Sequence, residues 1–359
     1  MNLGNQIRSL RHSRQLTQQQ LADQAGISRQ TVSSVEGGGM VPSVLVALEL
    51  ARALQCSVEQ IFSLEDEAPP VLAEVPKFKR PAPVWLAKLD ETLWAWPLGE
   101  EGPVQAADAI WYPDGNFARL HDRSPNQTLV LLGCHPGLHL LEGYLQRRND
   151  PIRVIARLRN SLQAVLELTY RKAHAAGVHL YDPKSRNYNL PLAKEVLEAE
   201  GGLLVHFARW EEGICFRPET PIRKIADLAR QPLRVVGREE GSEAHNLLCR
   251  QLATIDSRLL TTIPHVAKSH GQVAKMVQDS LADAGITVRY EAEMRGLGFF
   301  PLAEESFDLL VPARLLKTPP VLALLEVLAD ERFRQEMATL GSDANRSGTV
   351  LWSTPVPKP

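Results

Sequence analysis

The spacing of apolar positions changes twice along this chain. Over the first 64 residues they recur at helical intervals. Leu3, Ile7 and Leu10 predict a helix over about residues 3–14. Leu21, Ala25, Ile27, Val32 and Val35 predict two short helices within 17–36, with Gly26 at the turn, where a positive φ is easiest for Gly. Leu45, Leu48, Ala51 and Leu54 predict a helix after Pro42, capped by Ser43, and 57–62 a last short one. Residues 65–83 are charged, hold five Pro and read as a semi-rigid linker. Residues 84–110 are rich in Trp and β-formers and predict a small hairpin-like element, the start of a β-rich connection over 84–126. Trp85, Trp94 and Trp96 read as packing or dimer residues rather than as a ligand cage. From Thr128 the pattern becomes strands at 128–133, 152–158 and 174–180 alternating with helices at 139–148, 161–173 and 190–199. Extended chain at 202–218, a strand ending at 237, helices at 244–255 and 270–285, segments 288–293 and 299–312, and a helix over 321–340 follow. This alternation predicts an α/β fold with parallel sheets.

The stretch Thr17–Glu36 carries the most specific signal. Thr17 with Gln20 makes a capping box, and Ser28 caps a second helix. The outer face of that helix (Arg29, Gln30, Thr31, Ser33 and Ser34) is polar, short-chained and donor-rich, as reading base edges requires. An ordinary αα-hairpin has no need of this combination, so the stretch reads as a helix-turn-helix.

Composition changes the picture little. The chain of 359 residues is 44% hydrophobic and 23% charged, an ordinary globular balance for two or three folded units. Net charge is −2; residues 1–64 carry +1 of it and the remainder −3. So weakly basic a module binds DNA modestly alone, and dimerisation is expected to matter. No run of 18 apolar residues occurs, and the polar face of the first helix argues against a signal peptide. The four Cys (56, 134, 215 and 249) form no CxxC, which suggests free thiols and a reducing, cytoplasmic compartment.

Residues 1–64, through IRSLRHSRQLTQQQLADQAGISRQTVSSVEGG and PSVLVALELARALQCSVEQIF, resemble a Cro/C1-type (XRE-type) DNA-binding domain of five helices. The resemblance implies an Arg11–Glu36 pair between the first and third helices and a phosphate contact from Gln18. It also implies insertion of Ser28, Arg29, Gln30, Thr31, Ser33 and Ser34 into the major groove, with dimers on two half-sites. Residues 127–351, through VLLGCHPGLHLL, AGVHLYDPKSRNYNLP and RVVGREEGSEAHNLL, resemble the type II periplasmic-binding-protein-like domain of cytoplasmic regulators and relatives of molybdate-binding proteins. That implies two α/β lobes, about 127–206 with 305–350 and about 207–304, joined by crossing strands around a ligand cleft.

Loops that follow strands and open helices present N–H groups to polar or anionic ligands. The candidate ligand residues lie on such loops: Cys134 and His135; Asn160 and Ser161; Gly177 and His179; Arg238, Gly241, Ser242 and His245. Asp283 is a further candidate. Ser161 and Ser242, one in each lobe, could grip a ligand or serve as ordinary helix caps. The second and fourth loops depart from the family pattern, and Glu239, Glu240 and Glu243 crowd the fourth. A ligand with a cationic or hydroxyl part, or a metal, thereby gains over a bare oxyanion. Cys134, His135, His179 and His245 match no metal-ligand spacing, so neither metal nor cofactor is expected.

The reading is a multi-domain, one-component transcription regulator: an all-α helix-turn-helix domain followed by a two-lobed α/β sensor for a small-molecule or oxyanion effector. It is expected to be a homodimer or higher homo-oligomer on double-stranded operator DNA, without membrane association. The alternatives are a large domain that only oligomerises or holds a protein partner, and an enzyme on the two-lobed fold. The enzyme reading lacks a nucleophile elbow, P-loop or GxGxxG.

Overall fold

The computed structural model describes residues 2–354 except positions 6, 15, 66–70, 74–79, 99–105, 122, 221, 230–232 and 256–264. The chain divides into two units, Met1–Pro70 and Val71–Pro359.

The first unit contains β1 (Asn2–Asn5), α1 (Ile7–Ser13), α2 (Gln18–Ala25), α3 (Arg29–Glu36), α4 (Val44–Ala53), α5 (Val58–Ile61) and β2 (Phe62–Glu65). Thr17 and Gln20 form both arms of the capping box on α2, Gly26 ends it at φ 67°, and Ser28 caps α3. The first helix is shorter than its apolar spacing predicts. Residues 2–5 instead pair antiparallel with β2, and the Asn5 side chain accepts from the Ile7 amide at 3.3 Å. The inward face of α4 also differs. Ala47, Leu50, Ala51 and Leu54 are buried with Ile7, Leu21, Val32 and Val35, whereas Leu45 and Leu48 are 68% and 54% exposed. Apolar residues surround α4 on all sides, so periodicity alone could not choose the face that α2 covers.

The second unit opens with β3 (Val71–Ala73), β4 (Ala82–Leu89), β5 (Thr92–Pro97), β6 (Ala109–Trp111) and β7 (Phe117–Arg119). They form one sheet in the order β3-β5-β4-β6-β7. Most of the expected linker lies outside the described residues, but β3 falls within it. Trp85, Trp94 and Trp96 are buried packing residues, the first and last flanking the Arg157 guanidinium.

The α/β part then runs β8 (Thr128–Gly133), α6 (Gly137–Gln146), β9 (Arg153–Leu158), α7 (Ser161–Thr169), β10 (Ala175–Val178), β11 (Tyr181–Asp182), β12 (Asn187–Tyr188), α8 (Leu190–Leu197) and β13 (Gly202–Phe216). It continues β14 (Val235–Arg238), α9 (Glu243–Ala253), β15 (His265–Ala267), α10 (His270–Gln278), β16 (Ala284–Val288), α11 (Arg289–Glu293), β17 (Gly298–Pro312), α12 (Pro319–Ala329), α13 (Glu331–Thr339) and β18 (Val350–Thr354). Asp330 divides the expected closing helix by capping α13.

The strand order is β15-β14-β16-β13-β17-β10-β8-β9, with β18 on β13. Within it β8, β9 and β10 run parallel, as do β14, β15 and β16. The two 15-residue strands β13 and β17 are antiparallel to each other and to their neighbours. The sheet is therefore mixed, not purely parallel as the alternation of elements predicts. One end of the β13–β17 ribbon carries the β8–β10 lobe and the other the β14–β16 lobe, and both lobes point the C-terminal ends of their parallel strands toward the ribbon's middle.

Candidate functional site between the lobes

The middle of the ribbon is where chemistry concentrates. Alternation along the strands puts Trp210 and Glu212 on one face of β13, and register sets Glu305 opposite Trp210, with Phe307 two residues on. Glu211 and Glu304 occupy the other, solvated face. Glu212 and Glu305 are fully buried. A break in register follows Glu212 directly, a device that re-aims side chains beside functional sites.

The β8–β10 lobe supplies His179, just beyond β10. Its backbone N–H donates to Ser161 Oγ at 3.1 Å, which fixes its position. Its Nδ1 lies 2.7 Å from Glu305 Oε2 and its Nε2 3.2 Å from Cys134 Sγ. Trp210 Nε1 donates to the same Glu305 oxygen at 3.4 Å. His135 stacks on Trp210, ring centroids 4.5 Å apart, and its Nδ1 accepts from the Gly137 amide. The other lobe supplies His270, at the start of α10, edge-on to Trp210 and with Nδ1 3.6 Å from Glu212 Oε1. It also supplies Arg238, at the end of β14, whose guanidinium bonds Glu239 and the Ala267 and Lys268 carbonyls.

Hydrogen-bonding capacity is left over. Both oxygens of Glu212, Oε1 of Glu305, both ring nitrogens of His270 and one Arg238 nitrogen have no donor or acceptor of fixed position. The nearest acidic neighbour of Glu212 is the other buried carboxyl, Glu305. Burial, then repulsion from Glu305, raises the Glu212 carboxyl well above its ordinary range. Burial, with the Glu243 charge, brings Glu305 to about 7. Burial lowers His135 to about 3 and holds His270 neutral, aided by Arg238. At His179 burial disfavours the cation, but the Cys134 thiol and the Glu212 and Glu243 charges outweigh it. One ligand atom each of His179, Glu212 and Glu305 lie within 4.8 Å of one another, the spacing of a metal-ligand set.

Of the residues the sequence nominated, Cys134, His135, Ser161 and His179 gather here, and Arg238 lies close enough to act on Glu212. Asn160, not Ser161, is the N-cap of α7; Gly241 faces it across the lobes. Ser242 caps α9, and its hydroxyl donates to the Glu239 carbonyl. His245 pairs instead with Cys249, one turn along α9, at 3.4 Å. Gly177 lets the Phe307 ring pack on the backbone; a Cβ there would overlap it. Asp283 sits at the opposite end of β16 from Glu212, where Arg217 and Arg234 occupy its carboxylate. Cys134, His135, His179 and His245, whose spacing gave no metal-ligand motif, do not converge as a set of four, because His245 lies apart with Cys249. Trp210, Glu212, Glu305 and His270 escaped the sequence reading; the signal was the alternation that buries one Glu of each Glu-Glu pair.

In the first unit Arg11 bonds Glu36 at 2.8 and 3.2 Å, as the family resemblance implies. Gln18 Nε2 donates to the same carboxylate at 3.3 Å, which engages within the domain the group expected on a phosphate. Ser28, Arg29, Gln30 and Ser33 are exposed on α3, while Thr31 and Ser34 are half-buried. The Ser28 and Thr31 hydroxyls hydrogen-bond each other at 2.8 Å.

Residues 7–61 match a helix-turn-helix family and residues 142–329, more than half the chain, match the PBP superfamily domain. The uncharacterized protein YvgK of Bacillus subtilis is 27% identical over 263 residues, covering 71% of this chain and 80% of YvgK. The first unit is 38% identical to the uncharacterized HTH-type transcriptional regulator YgzD of the same organism, over 18% of this chain and 96% of YgzD. It is 41% identical to the competence pilus inhibition repressor of Acinetobacter baylyi, over 18% of this chain and 60% of that protein. Among solved structures, a putative phosphate ABC transporter substrate-binding protein from Clostridium perfringens aligns with 60% of this chain and 98% of its own at TM-score 0.49 and 11% identity. No described helix is long and apolar enough to cross a membrane. The chain thus belongs to the PBP superfamily-domain family, with a helix-turn-helix DNA-binding domain of the XRE type at its N-terminus.

Proposed function

We propose that this protein is a one-component transcription regulator in which occupation of the interlobe site sets operator affinity. The observation that carries the reading is the unmet hydrogen-bonding capacity of Glu212, Glu305 and His270, buried where both lobes and the crossing ribbon meet. A protein rarely leaves such groups orphaned, and a ligand touching both lobes satisfies them only in the closed form. That difference in affinity is what a ligand needs to shift a conformational equilibrium.

The DNA-facing residues are Arg29, Gln30 and Ser33, with half-buried Ser34 beside them and Ser28 and Thr31 shaping the helix start. Two copies would place two recognition helices on an inverted repeat. Met40, Val41, Val44, Leu45 and Leu48, exposed on and before α4, support such pairing. The test begins with operator selection from random duplexes by the full chain. Affinity is then measured for protein as purified and after its bound small molecules are removed. Equal affinity in both states overturns the sensor reading, and light scattering that shows a monomer at saturating duplex overturns the dimer.

A further inference from the structure

We propose that the ligand of the interlobe site is a divalent first-row transition-metal ion, held by His179, Glu212 and Glu305 with His270 completing the shell. This inference rests on the sensor reading above and gives the effector a chemical class.

Geometry comes first. Ligand atoms of His179, Glu212 and Glu305 already lie within 4.8 Å of one another. Two tetrahedral ligands about 2.0–2.1 Å from a shared ion stand about 3.4 Å apart, so the wider-spaced pairs close slightly while the 2.7 Å His179–Glu305 contact opens slightly. The 2.7 Å contact between His179 Nδ1 and Glu305 Oε2 is the hydrogen bond that the ion replaces. His179 Nε2 then keeps Cys134 Sγ as its outer partner, and the Ser161 hydroxyl keeps hold of the His179 backbone. Trp210 Nε1 still orients Glu305. Outer partners of this kind are what metal-ligating imidazoles and carboxylates have.

A second, independent observation points the same way. His270 is 5% exposed with neither ring nitrogen bonded, and it meets Glu212 from the opposite lobe at 3.6 Å. A buried imidazole with no hydrogen bond, facing a buried carboxyl with none, is a donor set suited to a Lewis acid. Charge selects the class of ligand. A dication displaces the carboxyl protons as it binds, and two carboxylate and two imidazole donors then match its charge. Mixed imidazole and carboxylate donors suit Zn, Fe, Co and their neighbours better than Mg or Ca. Trp210, Phe307 and His135 pack as an aromatic wall beside the donor set. Because His179 and His270 belong to opposite lobes, one ion bridges them only when the lobes are closed.

The test uses the full chain, stripped by chelation and titrated with Zn2+ against a chromogenic chelator and with Co2+ by visible absorption. We expect one ion per chain and a Co2+ spectrum without the intense near-ultraviolet band of a thiolate ligand. Glu212→Gln and Glu305→Gln each lower affinity more than about 100-fold, beyond what an outer-partner change does. Gln keeps the shape of each carboxyl, and metal-free melts and circular dichroism that match the metal-free parent show that lost binding is not lost folding. Cys249→Ser, on α9 and outside the set, binds like the parent. The inference is overturned if neither ion saturates the parent, if a Gln variant binds as well as the parent, or if a butylamine or phosphate titration stabilises the chain where the metals do not. Operator affinity in metal-loaded and metal-free protein is measured separately. One ion per chain that is lost in the Gln variants but leaves DNA affinity unchanged upholds the metal site and overturns the sensor reading. No metal binding, with operator affinity that responds to another ligand, does the reverse.

Discussion

Replacing Glu36 with alanine tests how the recognition helix is held. The Glu36 side chain is 3% exposed and accepts from Arg11, Arg8 and Gln18. Arg11, itself 10% exposed in its side chain, would keep only its 2.8 Å bond to the Leu16 carbonyl. Removing one partner of a buried ion pair costs about 3–5 kcal/mol. The surviving carbonyl contact and the exposed Arg8 place this case near the lower end, about 3 kcal/mol, or more than a hundredfold in the unfolding equilibrium. A domain of some 65 residues holds about 3–10 kcal/mol in all, so the loss is a large share. All six Trp lie beyond residue 70, which makes the assay clean. Hydrogen exchange over residues 7–36 should rise steeply while Trp fluorescence of the second unit stays unchanged. Acid behaviour gives a second readout. Burial pushes the Glu36 carboxyl up, but hydrogen bonds from Arg11 and Gln18 outweigh it and hold it below 4.5. The pair therefore contributes above that value and is lost as pH falls through the lower folded pKa, a loss the variant does not show. Amide protection within threefold of the parent at pH 7 would refute the reasoning.

Arg29→Ala and Gln30→Ala should each relax operator preference and cost about 1–3 kcal/mol at one base pair, read by competition binding on selected duplexes; unchanged preference in both displaces the groove assignment. Asp283 is held at about 2 by Arg234 and Arg217, so Asp283→Asn should lower stability at neutral pH and abolish the parent's extra loss between about 3.8 and 2 in acid melts. Gly177→Ala forces the Phe307 ring aside and should cost about 1–3 kcal/mol in denaturant melts, with a loss of packing around Trp210 visible in its fluorescence.

Local chemistry determined a good part of this protein. The capping box at Thr17, the turn at Gly26, the Ser28 cap and the Arg11–Glu36 pair are short-range or family-wide features, and each was legible in the sequence. So were the buried strand at 128–133, uniformly apolar because both its faces are covered, and the alternation that gives an α/β unit, whose two lobes the family resemblance implied. Tertiary structure decided the rest. The face of α4 was ambiguous because apolar residues surround it, and only α2 selects Leu50 over Leu48. Residues 2–5 could join a helix by pattern, but β2, some 60 positions away, claims them as a strand. The site was hidden for the same reason. Glu212 and Glu305 look like solvated members of Glu-Glu pairs until the β13–β17 register turns one of each inward, and His270 has no partner nearby in sequence. Convergence of groups separated by roughly a hundred residues is a property of strand register and lobe closure, and neither is written in local spacing.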